Sequence, residues 1–277
     1  MSDGKRVYLF DTTLRDGAQT QGVDFSVGDK QALAAALDRL GMDYVEGGWP
    51  GANPTDDAFF NQPPRFKRAK FVAFGMTRRP GRSAGNDPGL SALLNAKTQA
   101  VCMVGKSSDF QVKVALGISN AENVAMIAES VAPARERCSE VMLDCEHFFD
   151  GYKANPAYAL ECAEEAYKSG ARRVVLCDTN GGTLPHEIER IVGEVTVRIP
   201  GTHLGIHCHN DTENAVANSL AALRGGVRQV QGTLNGLGER CGNANLVSLI
   251  PSLMLKTDFK TGLSADDLKH LTHLSRL

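Results

Sequence analysis

The chain has 277 residues, of which 42% are hydrophobic and 22% charged, and its formal net charge is −2 at pH 7. A chain of this length can bury a large core, and a single domain of this size suggests a barrel. The scattered Lys and Arg exclude a basic nucleic-acid-binding face, and the longest apolar runs are too short for a transmembrane helix.

Short apolar runs alternate with helix-like patterns along the chain. Eight runs predict strands, at 7–11, 44–47, 70–74, 100–104, 140–145, 173–177, 203–207 and 228–231. Eight helices are predicted between and after them, at 27–40, 54–61, 89–96, 120–137, 156–169, 185–197, 213–223 and 245–255. Eight β-then-α units in about 250 residues have the size and order of a (β/α)₈ TIM barrel. An open doubly wound sheet is the alternative, although it rarely contains eight uninterrupted units.

We predict that residues 1–255 form the catalytic barrel and that residues 256–277 begin a C-terminal helical extension. Leu268, Leu271 and Leu274 have helical spacing in this tail, and the sequence ends directly after them, as in a truncated chain. The seven cysteines are an odd number and contain no Cys-x-x-Cys. This pattern, with no signal-peptide pattern before the first strand, predicts a cytoplasmic protein rather than a disulfide scaffold.

The most informative segment is 205–211, at the end of the seventh predicted strand. Side chains alternate along a strand, so His207 and His209 face the same way, as half of a divalent-metal site does. Taken alone, this pair could also be packed or solvated histidines. Strands 1 and 7 are separated only by strand 8 around a closed barrel, so Asp16 can reach both imidazoles. Two imidazoles and a carboxylate suit a catalytic Mg²⁺, Mn²⁺ or Zn²⁺, although Asp16 could instead be a turn aspartate.

Polar residues also lie at or after the ends of other predicted strands: Arg15, Glu46, Glu146, Thr179 and Asn243. A guanidinium beside a metal ligand suits an oxyanion or a carboxylate, but it could equally be a structural ion-pair partner. The two glutamates could be salt-bridged at the rim. The threonine and the asparagine could cap the helices that follow them.

Three motifs in this order, residues 11–19, 207–211 and 238–244, together resemble the DRE-TIM metallolyase superfamily. The third favours its synthases, which condense acetyl-CoA with a 2-oxo acid, over its lyases. Residues 44–54 and 146–153 resemble more narrowly the (R)-citramalate synthase family. The resemblance covers residues 7–255. Synthases of this family continue into a subdomain that contributes to the acetyl-CoA site, so we expect full turnover to need more than these residues.

The resemblance implies an acyltransferase of isoleucine biosynthesis that joins acetyl-CoA and pyruvate in a metal-dependent Claisen condensation, giving citramalate and CoA. One alternative is a 2-isopropylmalate synthase, which takes 2-oxoisovalerate. Another is a barrel-only metal-dependent lyase or aldolase, and a third is a non-catalytic metal-binding barrel. The implied partners are acetyl-CoA, a small 2-oxo acid and a second subunit in a homodimer, with neither nucleic acid nor membrane.

The resemblance also implies residue roles. Asp16, His207 and His209 match the metal ligands, and Asn243 the position that binds metal directly or through water. Arg15 would stabilise charge on the carbonyl oxygen of the oxo acid, and Thr179 would hold its carboxylate. Glu146 is favoured for proton transfer, and Glu46 is the other candidate for acid/base work or for orienting the metal ligands.

Overall fold

The computed structural model describes residues 5–277, so the start of the predicted barrel segment, residues 1–4, lies outside the described residues. Eight parallel strands pair in chain order and close into a ring through β1 and β8: β1 (Tyr8–Asp11), β2 (Tyr44–Glu46), β3 (Lys70–Met76), β4 (Ala100–Lys106), β5 (Glu140–Glu146), β6 (Arg173–Asp178), β7 (Leu204–Cys208) and β8 (Gln229–Gly232). This closure confirms the TIM barrel and excludes the open-sheet alternative.

The helices form the outer layer: α1 (Val27–Leu40), α2 (Pro54–Asn61), α3 (Pro88–Leu94), α4 (Asp109–Gln111), α5 (Asn120–Arg137), α6 (Phe148–Ala154), α7 (Pro156–Lys168), α8 (Pro185–Thr196), α9 (Ala215–Gly225), α10 (Leu246–Lys256) and α11 (Leu271–Leu274). A π-helical turn, Val112–Leu116, follows α4. The predictions over 27–40, 54–61 and 120–137 match α1, α2 and α5. Ser26 and Asp29 form a capping box at the start of α1, which explains why its boundary is visible in the sequence.

The other boundaries agree with the predictions to within two residues. The seventh strand starts at Leu204, because His203 belongs to a short 3₁₀ turn. The helix predicted from Glu213 starts at Ala215, because Glu213 has a positive φ of 59°, which no α-helical residue has. The sequence also gave no prediction for α6, which begins two residues after β5.

Two apolar layers hold the barrel together. The larger lies between the strands and the helices, and the smaller fills the barrel interior with Phe10, Tyr44, Val72, Phe74, Ala100, Cys102 and Met142. Side chains that point into the barrel above this interior layer, toward the carboxyl ends of the strands, reach the face where TIM barrels carry their sites. All seven cysteines are unpaired thiols, and only Cys241 is exposed.

Residues beyond α10 fold back onto the barrel. The backbone N–H of Val7 donates to the carbonyl of Lys260 (2.8 Å), and the side chains of Leu263, Leu271 and Leu274 are buried. The apolar residues of the predicted helical tail therefore pack against the barrel, where α11 contacts α1. Within residues 5–277, every helix falls short of the length and apolarity that a membrane crossing requires.

Candidate active site

The side chains of Asp16, His207 and His209 converge at the carboxyl ends of β1 and β7. Their candidate ligand atoms all lie within 4.8 Å of one another, and all three residues are buried. Asp16 Oδ2 is 3.6 Å from His207 Nε2 and 4.0 Å from His209 Nε2. Burial alone would raise the pKa of Asp16, but Arg15 and the two imidazoles hold it well below its usual range. Burial, with His207 alongside, lowers the pKa of His209 to about 4. The group can thus present the Asp16 carboxylate and the neutral imidazole of His209 to a cation, with the His207 ring beside them.

Asn243 completes this cluster in a way that fits a metal ion. Its Nδ2 donates to Asp16 Oδ1 (2.8 Å) and to the Leu237 carbonyl (3.0 Å), whereas its Oδ1 is buried without a hydrogen-bond partner. An unpaired buried amide oxygen is available to accept from, or to coordinate, a bound water or ion. Carbonyl, carboxylate and imidazole groups are a donor set that suits Mg²⁺, Mn²⁺ or Zn²⁺. These four side chains could therefore hold a divalent ion.

A second layer of hydrogen bonds orients His207. Its Nδ1 lies 2.8 Å from Gln231 Oε1, and Gln231 Nε2 donates to Asp144 Oδ1 (3.0 Å). The thiol of Cys102 also approaches that oxygen of Asp144 (3.2 Å). With an acceptor at Nδ1, the proton of His207 is held there and Nε2 is left free as a ligand. Burial raises the pKa of Asp144, which lies on the floor of the site.

Arg15 is fixed on three sides beside the cluster. Its Nε donates to Glu46 Oε2 (2.8 Å), its Nη1 donates to Asp16 Oδ2 (3.0 Å), and its Cζ lies 3.9 Å above the ring centroid of Phe74. Burial would lower the pKa of Arg15, but Glu46 and Asp16 raise it, so the group stays a cation. The guanidinium lines the cavity above the cluster, where it can meet an anionic ligand.

The two candidate glutamates occupy different environments. Glu46 is fully buried beneath Arg15 and accepts from Thr12 Oγ1 (2.6 Å), and burial raises its pKa despite Arg15. Glu146 lines the open cavity and is ion-paired with Lys106, with 26% of its side chain exposed. Glu146 can therefore reach a ligand in the cavity, whereas Glu46 reaches the site through Arg15.

Thr179 lies at the end of β6, on the wall of the same cavity. Its Oγ1 accepts from the backbone N–H of His147 (2.8 Å), which leaves the hydroxyl proton to donate to a ligand. Its carbonyl accepts from Arg240 Nη2 (2.6 Å), and the same arginine is paired with Asp211. Arg240 thus joins the loops that follow β6, β7 and β8.

A cavity of about 240 Å³ at the carboxyl ends of the strands is lined by Arg15, Asp16, Glu146, Thr179, His207 and His209. Its apolar wall is built by Trp49, Phe74, Met76 and Val104. A neighbouring cavity of about 200 Å³ shares Trp49, Met76 and Val104 with it and extends toward Arg78. The site therefore has one polar end at the histidines and one apolar end at β2 to β4.

The observed contacts distinguish between the structural and the functional roles predicted for the candidate residues. Asn245, not Asn243, caps α10, and Thr179 caps no helix. Ion pairs do exist at Arg15, Glu46 and Glu146, in the site itself rather than apart from it. Sequence reasoning missed Lys106, Gln231 and Trp49. Their position at or just after a strand's carboxyl end was the available signal, but their residue types are common in structural roles.

The fold and this cluster define a class of protein: a TIM barrel with a candidate divalent-metal site at the carboxyl ends of its strands. The chain belongs to the HMGL-like family, which it matches over residues 6–276. This family is metal-dependent, in agreement with the convergent ligand set. The match confirms the DRE-TIM resemblance.

The chain is also similar to individual proteins of known name. The chain is 52% identical to an (R)-citramalate synthase of Aquifex aeolicus over 273 residues, which are 98% of this chain and 52% of that protein. It is 33% identical to a 2-isopropylmalate synthase of Brevibacillus brevis, covering 99% of this chain and 53% of that protein. The chain thus spans about half the length of the curated relatives that it matches. Among solved structures, an HMG-CoA lyase from Brucella melitensis has the same fold, with a TM-score of 0.82 at 19% identity and 98% of each chain covered.

Proposed function

We propose that this barrel carries the catalytic site of a citramalate synthase, in which acetyl-CoA and pyruvate are condensed to citramalate and CoA. The observation that carries the proposal is the cluster of Asp16, His207, His209 and the unpartnered Asn243 Oδ1 beside Arg15. The higher identity to (R)-citramalate synthase than to 2-isopropylmalate synthase favours pyruvate as the acceptor.

A divalent ion held by these four residues would act as a Lewis acid toward the carbonyl of a 2-oxo acid. Arg15 stands next to that position, with its orientation fixed by Glu46 and by the ring of Phe74. A fixed cation stabilises negative charge that develops on a carbonyl oxygen without having to reorganise during the reaction. We therefore assign Arg15 to the oxygen of the acceptor carbonyl.

Thr179 is assigned to the carboxylate of the oxo acid. Its hydroxyl oxygen already accepts from the His147 backbone, so the hydroxyl proton is free to donate to a ligand in the cavity. A hydroxyl donor can serve a carboxylate oxygen without adding a charge. The contact of Arg240 with the Thr179 carbonyl keeps this loop in place.

Proton transfer is assigned to Glu146. The condensation requires a base that takes a proton from the methyl group of acetyl-CoA, so that this carbon can form the new bond to the acceptor carbonyl carbon. Glu146 lines the cavity without contacting the metal-ligand cluster, and it is ion-paired with Lys106. Glu46 is assigned to holding Arg15. Hydrolysis of the thioester then releases CoA.

The cavity of about 240 Å³ can contain a small oxo acid. We assign the methyl group of pyruvate to its apolar end, beside Phe74 and Val104. The homodimer, the cytoplasmic location and the role in isoleucine biosynthesis stay predictions.

The proposal is tested by following CoA release with a thiol reagent. Metal-loaded chain is mixed with acetyl-CoA and, in separate reactions, with pyruvate, 2-oxoisovalerate or 2-oxoglutarate. Thiol release with pyruvate only is the expected result for a barrel that suffices. Metal-dependent pyruvate binding without release would support the site and assign the missing step to residues beyond the barrel. A preference for 2-oxoisovalerate, or the absence of metal-dependent binding of all three acids, would contradict the proposal.

A further inference from the structure

A buried lysine lies directly behind the site and belongs to none of the groups assigned above. Lys30 is on α1, and only 3% of the residue is exposed. Its ammonium donates to the carbonyl of Leu14 (2.8 Å), to the carbonyl of Gly47 (3.0 Å) and to the carboxylate of Asp56. An ammonium has three N–H donors, so each one is used. One side chain thus joins the loop after β1, the end of β2 and the start of α2.

Asp56 also accepts hydrogen bonds from the loop that follows β2. Its Oδ2 accepts from the backbone N–H of Trp49 (2.8 Å) and from the side chain of Asn53 (3.1 Å). The loop approaches this carboxylate so closely that a Cβ on Gly48, whose φ is +142°, would lie 2.6 Å from it. Glycine is required there both for the space and for the backbone conformation. The position of Trp49 is therefore set by the ion pair.

The backbone groups that this ion pair contacts belong to residues adjacent to the site. Leu14 precedes Arg15, and Gly47 follows Glu46. Trp49 meets the ring of Phe74 edge-on, with 5.4 Å between centroids, and the guanidinium of Arg15 lies on the same ring. The ion pair therefore holds the backbone beside Arg15, beside Glu46 and at Trp49, whose indole packs on the same ring as the guanidinium.

We propose that Lys30, acting through Asp56, is a positioning residue that holds Arg15 and Trp49 in the arrangement that binds the oxo acid. The inference rests on the proposed function for its ligand, pyruvate, but its geometric part can be measured without any ligand. Buried ion pairs stabilise folds only weakly relative to apolar side chains, so stability alone is a poor reason for burying this one. Small displacements of a positioned charge, in contrast, cost binding steeply.

Trp49 is the single tryptophan of the chain, so its fluorescence reports on this loop alone. The test compares the unaltered 277-residue chain with Lys30→Met and Asp56→Asn. The matched control is Asp38→Asn, because Asp38 is an equally buried charge on α1 that holds a distant loop through the backbone N–H groups of residues 67–69. We expect a red-shifted emission and faster acrylamide quenching in both test variants and neither change in the control.

Calorimetric titration with pyruvate and Mn²⁺ supplies the second readout. Lys30→Met is expected to raise the Kd of pyruvate about tenfold while the Kd of Mn²⁺ stays within twofold, since Lys30 contacts no metal ligand. In an Arg15→Lys background the same change should alter the Kd of pyruvate less than twofold, because the two residues act through one contact. A merely structural role would give additive losses in this cycle.

The outcomes separate the positioning role from the proposed function. Unchanged emission and quenching in Lys30→Met and Asp56→Asn, or additive losses with Arg15→Lys, would overturn the positioning role. Failure of the unaltered chain to bind pyruvate would overturn the proposed function instead. If Lys30→Met does not fold, Asp56→Asn decides the question, because it keeps the shape of the side chain while removing its charge and replacing one acceptor oxygen with an NH₂ donor.

Discussion

His207 Nδ1 and Gln231 Oε1 lie 2.8 Å apart across the β7–β8 pair, where these two residues are register partners. This contact selects the ring nitrogen of His207 that faces Asp16. A second hydrogen bond, from Gln231 to Asp144, fixes the amide so that its oxygen is the atom presented to the imidazole. In characterised metal sites, removing a hydrogen-bond partner of a ligating histidine lowers the metal affinity by about 10- to 100-fold.

We expect Gln231→Leu to weaken the binding of Mn²⁺ by about 10- to 100-fold, because His207 then loses the acceptor that holds its ring. Calorimetric titration of metal-free chain measures the change. Gln229→Leu is the matched control. Gln229 is buried on the same strand two residues before Gln231, and its register partner is Gly205 rather than His207. Equal affinities for Gln231→Leu and the unaltered chain would show that this hydrogen bond does not tune the site.

Gly238→Ala is expected to disrupt the ligand cluster. A Cβ at this position, where φ is +152°, would lie 2.0 Å from Asn243 Nδ2 and 3.0 Å from Asp16 Oδ1. Asn243 must then move, and its contact with Asp16 is lost. We predict at least a tenfold loss of Mn²⁺ affinity with the barrel still folded by circular dichroism. Gly182→Ala is the control, because a Cβ there meets no atom within 4 Å. Retained affinity in Gly238→Ala would contradict the placement of Asn243.

Substitution of the two glutamates should have different effects, on the binding of pyruvate for Glu46 and on CoA release for Glu146. Glu46→Gln weakens the charge contact that holds Arg15, so we expect the Kd of pyruvate to rise about tenfold, the value of one charge-assisted hydrogen bond. Glu146→Gln removes the proposed base, so we expect whatever CoA release the unaltered chain supports to fall by about 10²- to 10⁴-fold, with the Kd of pyruvate within twofold. Calorimetry and thiol release on both variants measure the two effects. The reverse pattern would exchange the roles that we assign.

His209 gives the metal-free chain a dependence of stability on pH. Burial, followed by His207, lowers its pKa to about 4, whereas an unfolded histidine has a pKa of about 6.5. As pH falls through 6.5 the unfolded state takes up a proton that the folded state does not, so folding becomes less favourable down to about pH 4. The full loss is about 3 kcal/mol. Stability above pH 7 is unaffected by this group.

Urea unfolding in the presence of a chelator, at pH 7.5, 6.0 and 5.0, measures this loss. We expect His209→Gln to remove most of the decrease in unfolding free energy that the unaltered chain shows between pH 7.5 and 5.0. His273→Gln, at an exposed position on α11, should leave the decrease in place. The same slope in His209→Gln and in the unaltered chain would contradict a buried, neutral His209.

The barrel and the centre of the site were predictable for one physical reason. Parallel strands of a closed barrel end on one face, so Asp16 and the two histidines had to meet there if the alternation of strands and helices was real. Capping residues made some helix boundaries predictable, as Ser26 does for the start of α1. The resemblance of three motifs then implied roles for Arg15, Thr179 and Asn243 that spacing alone left open.

The remaining features depend on contacts between residues that are far apart in sequence. Gln231 and Lys30 are common residue types at ordinary positions of a strand and a helix, and only the three-dimensional register gives them partners at the site. The different environments of Glu46 and Glu146 are likewise set by side-chain packing. Both are the last residue of a strand, but one is covered by Arg15 and the other opens to the cavity.

The most direct test of the account is the calorimetric titration of pyruvate into the chain with and without Mn²⁺, repeated with His207→Ala. We predict pyruvate binding that requires the metal and that disappears in His207→Ala, while the variant unfolds cooperatively like the unaltered chain. Pyruvate binding of equal strength without metal, or in His207→Ala, would contradict the assignment of this cluster as the centre of the site.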